Sequence, residues 1–139
     1  MATTEFIPFI KPDLSSDATT KVVECLESGW LASGPRVVEF EKQLANFLEA
    51  PHVLTFTSGT AALFLALKIL DLQPGDEVIL PSLTFVATAN TIVHAGGVPV
   101  FVDIDPLTFN MDPSKIEELI TPNTKAIVPV HLFGQAADL

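Results

Sequence analysis

Apolar positions along the chain follow two rhythms. In the first, Val37, Phe40, Leu44, Phe47 and Leu48 recur at three- and four-residue spacing, the stripe of an amphipathic helix opened by Gly34-Pro35 and stopped by Pro51. An earlier helix is expected from the Ser15-Ser16-Asp17 cap to about Ser28, ended by Gly29, after an extended lead marked by Pro8 and Pro12. From residue 52 the rhythm changes to short continuous apolar runs alternating with helical stretches. His52 to Phe56 reads as a strand, Ser58 to Leu70 as a helix, and Glu77 to Leu80 as a second strand after the turn Gln73-Pro74-Gly75-Asp76. Thr84 to His94 reads as a helix and Val98 to Val102 as a strand. Asp112 caps a helix over Pro113 to Ile120, and Thr124 to His131 forms a fourth strand.

Strand and helix alternating at this spacing predict crossover units and an α/β fold with a mainly parallel sheet. The runs VLTF, VIL, VPVFV and AIVPV are continuous rather than alternating, as expected where helices cover both faces. A helical lead over residues 1–51 and the first part of an α/β domain over 52–139 are the expected organisation. The last expected strand is followed only by Gly134 to Leu139, where a crossover helix is due, so the sequence reads as the front part of a larger protein.

Composition narrows the partners. The 139 residues are 48% hydrophobic, with a mean hydropathy of +0.44, high enough to suggest apolar faces meant to be covered. Net charge is −10, which disfavours nucleic acid and anionic membranes and leaves any phosphorylated ligand dependent on local donors. The lone Cys25 sits in the helical pattern of Val22, Val23 and Leu26 and reads as a packing residue. No signal peptide or membrane-length apolar run occurs, so a cytoplasmic protein is expected.

Ligands of open parallel sheets bind beyond the carboxyl ends of the strands. There, Thr57-Ser58-Gly59-Thr60-Ala61 joins a strand to the first turn of a helix, where unpaired N–H groups and the positive end of the dipole attract an anion. Gly59 admits an anion close to the backbone, and Ser58 and Thr60 add hydroxyls; an ordinary serine cap explains the local sequence equally well. The fingerprints GxGxxG and GxxxxGK[ST] are absent, against a dinucleotide fold or a P-loop. Phe85, after the next strand, could stack on a flat heterocycle or simply pack in the core. Asp103 and Asp105 read as turn caps rather than a metal pair, and His131 is given no catalytic role.

Five blocks in order carry a more specific signal: SGWLASGP (28–35), TSGTAAL (57–63), PGDEVILPSLTFVATAN (74–90), VPVFVDIDPLTFNMDP (98–113) and TPNTKAIVPVHLFGQAADL (121–139). Together they resemble the DegT-type sugar aminotransferases, pyridoxal-phosphate enzymes of the aspartate-aminotransferase fold (fold type I), over the first third or so of a family member. The resemblance implies that the amides of Thr60 and Ala61, with the Thr60 hydroxyl, bind the cofactor phosphate, and that Phe85 stacks on the pyridine ring. The lead FIPFIKP with SGW and SGP resembles members that aminate UDP-linked 4-keto sugars, which would place Trp30 and Ser33 near the substrate or a dimer partner. It also implies an amino-acid donor, glutamate in most relatives, a nucleotide-sugar acceptor and a homodimer.

The family's Schiff-base lysine and the aspartate that pairs with the pyridinium nitrogen fall beyond residue 139. None of Lys11, Lys21, Lys42, Lys68, Lys115 and Lys125 follows the expected strand, so this stretch is not expected to catalyse transamination by itself. Some relatives carry histidine in place of that lysine and dehydrate the sugar, and a non-catalytic truncated product is the remaining alternative.

Overall fold

In a computed structural model, residues 6–8 and 10–139 are described; Phe9 of the lead lies outside them. They form two compact units, one through Thr55 and one from Phe56.

The first unit holds α1 (Ser16–Ser28) and α2 (Pro35–Phe47). Ser15 caps α1, its Oγ accepting the Ala18 amide at 3.1 Å, and Gly29 ends the helix at φ 76°. Proline at the first position pre-sets the backbone of α2. Its N-cap, Gly34, lies so close to Trp30 that an added Cβ would stand 3.0 Å from the Trp30 Cβ. The helix ends at Phe47, ahead of Pro51, and Glu49 turns the chain with φ 52°.

The second unit contains α3 (Gly59–Ile69), β1 (Glu77–Pro81), α4 (Ala87–Ala95), β2 (Val98–Val102) and β3 (Thr124–Ile127). The strands form a parallel sheet in the order β2-β1-β3, so β1 is central. Side chains on β1 alternate between two cores. Val78 and Leu80 join Leu67 and Leu72 with Ile92 and Ala95 of α4, while Ile79 joins Val102 and Met111 on the opposite face. That two-sided burial explains why the run Val78-Ile79-Leu80 is continuously apolar.

Four elements differ from expectation. Residues 52–56 form no ladder, because a strand exists only by pairing; Thr55 instead donates both its amide and its hydroxyl to the Glu41 carboxylate at 2.8 Å. The helix expected from Thr84 starts at Ala87, since the Ser82 amide donates to the Val102 carbonyl and keeps the chain extended past β1. Over 113–120 there are two 3-10 turns, Pro113–Lys115 and Glu117–Leu119, which set Ile116 and Leu119 three apart against the Ile79–Val102 core. Strand β3 is regular only to Ile127, with one further rung from the Val128 amide to the Ile79 carbonyl.

Candidate functional site

Because the three strands are parallel, the segments after β1, β2 and β3 all leave one edge of the sheet. Ser82–Val86 follows β1, Asp103–Asp105 follows β2, and Val128–His131 follows β3. Helix α3 is anchored at its other end: Leu72, just beyond it, packs so tightly against Gly96 and Gly97 at the amino edge that a Cβ on Gly97 would lie 2.9 Å from the Leu72 Cδ1.

The first turn of α3 combines an ordinary cap with exposed donors. The Ser58 Oγ accepts the Ala61 amide at 3.1 Å, and the first helical bond runs from the Ala62 amide to the Ser58 carbonyl at 3.2 Å. The amides of Gly59 and Thr60 precede that bond and carry no partner among the described residues. The Ala61 amide, assigned to a ligand by the resemblance, is here engaged by Ser58. An added Cβ on Gly59 would meet nothing within 4 Å. Glycine at this position is therefore not demanded by the packing of the chain around it. Ser58, Thr60 and Ala61 also border a depression of about 510 Å³ completed by Phe64, Thr91 and His94.

Phe85 is 74% exposed at the carboxyl end of β1, with its carbonyl accepting the Thr88 amide that opens α4. An apolar ring left out of the core beside a helix start is available for stacking. Trp30 and Ser33 belong to the first unit. Trp30 is 62% exposed and lines a groove of about 590 Å³ between α1 and α2, and Ser33 is exposed.

The acidic groups after β2 are engaged in local structure. The Asp105 Oδ1 accepts the amides of Thr108 and Leu107, which hold its carboxyl below the ordinary range. The Ile104 amide and then Lys115, 3.3 Å away, do the same for Asp103. Asp112 is lowered chiefly by the Ser114 hydroxyl, and Lys115, bonded to Asp103, is raised. Asn110 is 3% exposed and hydrogen-bonded to the segment after His131, a role the local pattern signals only as a polar residue between Phe109 and Met111. No described helix is long and apolar enough to cross a membrane.

Comparison with known proteins agrees with the blocks seen in the sequence. The family described as the DegT/DnrJ/EryC1/StrS aminotransferases matches residues 12–139. The chain is 53% identical over 134 residues to a spore coat polysaccharide biosynthesis protein, SpsC, of Bacillus subtilis, covering 96% of this chain and 34% of that one. It is 49% identical to the GDP-perosamine synthase of Caulobacter vibrioides, covering 92% and 35%. Among solved structures, the putative sugar aminotransferase Spr1654 of Streptococcus pneumoniae in its PMP form superposes with a TM-score of 0.88 at 44% identity, covering 95% of this chain and 33% of that one. The chain thus spans about a third of the length of the curated relatives it matches. On sequence and fold together, it belongs to the DegT/DnrJ/EryC1/StrS aminotransferase family.

Proposed function

We propose that this chain supplies the phosphate-binding turn and the ring-stacking face of a pyridoxal-phosphate site, in an enzyme that aminates a keto group on a nucleotide-linked sugar. The observation that carries the reading is the first turn of α3, where the Gly59 and Thr60 amides are unpaired and the Gly59 Cβ position is open. Two amides at the positive end of a helix, with the Thr60 hydroxyl beside them, suit a phosphate dianion and offset the net charge of −10. Ser58 accepts the Ala61 amide and so fixes the turn, and its hydroxyl hydrogen stays free to donate to a phosphate oxygen. Phe85 covers one face of the pyridine ring and excludes water from it.

Pyridoxal phosphate, when bound, supplies the electron sink that lets an amino group pass between an amino acid and a ketone. The lysine needed to hold the cofactor covalently is assigned to the remaining length that the relatives possess. Three of the lysines here are already turned to carboxylates: Lys21 to Asp17, Lys115 to Asp103 and Asp112, and Lys125 to Asp76. Trp30 and Ser33 are assigned to the substrate side or to a homodimer contact, glutamate to the role of donor, and the cytoplasm to the enzyme's location.

The experiment compares pyridoxal phosphate with pyridoxal, which lacks the phosphate, as ligands of the full-length gene product. Wild type should prefer the phosphorylated form strongly, and Gly59→Val should abolish most of that preference. Equal binding of the two by wild type would remove the phosphate cup from the account.

A further inference from the structure

The segment following β3 is held by an arrangement that the aminotransferase reading leaves unused. The turn from Ile104 to Met111 is closed by an antiparallel bridge between those two residues and by hydrogen bonds from the Asp105 amide to the Asn110 carbonyl and from the Phe109 amide to the Asp105 carbonyl. It presents the buried Asn110 side chain to a stretch more than twenty residues away. The Asn110 Nδ2 donates to the carbonyls of Gln135 at 3.2 Å and Ala136 at 3.1 Å, and its Oδ1 accepts the Leu132 amide at 2.9 Å. Aspartate or leucine of similar size could not make this set, because two donors and one acceptor are used at once. Phe109 and Phe133 take left-handed φ values of 61° and 53°, conformations unfavourable to an aromatic residue and kept only where surrounding bonds over-determine them.

The clamped segment in turn fixes His131. The amide of Ala137, a residue only 6% exposed, donates to the His131 Nδ1 at 2.9 Å. A backbone amide can only donate, so Nδ1 presents its lone pair and the neutral ring carries its proton on Nε2. His131 is exposed and leaves the same sheet edge, on the neighbouring strand, as the segment bearing Phe85.

We infer that Asn110 is a positioning residue that holds His131 as a fixed Nε2–H donor for an oxygen of the sugar substrate. The tautomer stands on this geometry alone, while the assignment of the acceptor rests on the aminotransferase reading. The ligand chemistry required is a neutral acceptor, a carbonyl or hydroxyl oxygen, of which a sugar offers several.

The test uses the full-length gene product with pyridoxal phosphate and labelled histidine. Ring nitrogen NMR should show His131 as the Nε2–H tautomer in wild type and as a mixture in Asn110→Ala. His131→Phe should raise KM for the sugar about tenfold, the size of one neutral hydrogen bond, with cofactor absorbance unchanged. His131→Gln, which keeps a donor, should recover part of that loss. Asn110→Ala should raise KM in the same direction, and the double variant should be no worse than His131→Phe, because the asparagine acts through the histidine. An Nδ1–H tautomer in wild type, an unchanged KM in His131→Phe, or additive effects in the double variant would each overturn the inference. Wild type that takes up no cofactor would overturn the aminotransferase reading itself, and the substrate assignment with it.

Discussion

At the scale of single residues, Gly59 separates folding from binding. Its Cβ position is open and its φ is not left-handed, so Gly59→Ala should leave the thermal midpoint of the full-length protein unchanged or slightly raised. On the proposed site the same methyl group crowds the approaching phosphate, so affinity for pyridoxal phosphate should fall. Parallel melting and cofactor titration check both halves. Asp103 and Asp105 provide a second residue-scale test, since both are lowered by backbone amides but only Asp103 also by Lys115. Lys115→Met should move the Asp103 midpoint up towards the ordinary carboxylate value in an NMR pH titration and leave that of Asp105 in place. A carboxyl depressed by folding stabilises the native state above its unfolded pKa, and that stabilisation is lost as pH falls through the lowered folded value. The contributions of Asp103, Asp105 and Asp112 are therefore complete above about pH 5 and are lost progressively as pH falls through the ordinary carboxylate value and then the lowered folded ones. The candidate site residues were unevenly legible. Ser58, Gly59 and Thr60 stand out only in the company of Phe85 and the ordered blocks, because a serine cap with a small neighbour explains their local sequence equally well. Asn110 does not, because its three partners lie 22 to 26 residues away and no local spacing records them.

At the scale of elements, local signals located what local forces build. The cap at Ser15, the stop at Gly29 and the start at Pro35 stand where their chemistry puts them, each acting within one turn of the residue concerned. Elements that depend on distant partners were placed less well. The VLTF run has strand composition, yet residues 52–56 find no neighbour to pair with among the described residues. The segment after Asp112 has a correct cap but becomes 3-10, because what it must satisfy is the three-residue spacing of Ile116 and Leu119 over the second core. Two substitutions test the elements that frame the site. Ser58→Ala removes the only side-chain cap of α3 and should cost about 1 kcal/mol, read from the urea midpoint. Ile92→Ala, at a fully buried position between α4 and β1, should cost about 2–5 kcal/mol by the same measurement.

At the scale of the molecule, the charge and the exposed apolar surface have one reading. Among the described residues neither α1 nor α2 buries a side chain fully, and Val22, Leu26, Trp30 and Phe40 remain exposed. The chain matches relatives over about a third of their length, and its mean hydropathy of +0.44 goes with this exposed apolar surface. The proposed site rests on one element, the unpaired start of α3, as the grip for an anionic cofactor. A crystal structure of the full-length gene product with pyridoxal phosphate bound tests it most directly. Phosphate oxygens should lie within hydrogen-bonding distance of the Gly59 and Thr60 amides and the Thr60 hydroxyl, with the Phe85 ring against the pyridine. A phosphate bound elsewhere, with the first turn of α3 facing only solvent or protein, would contradict it.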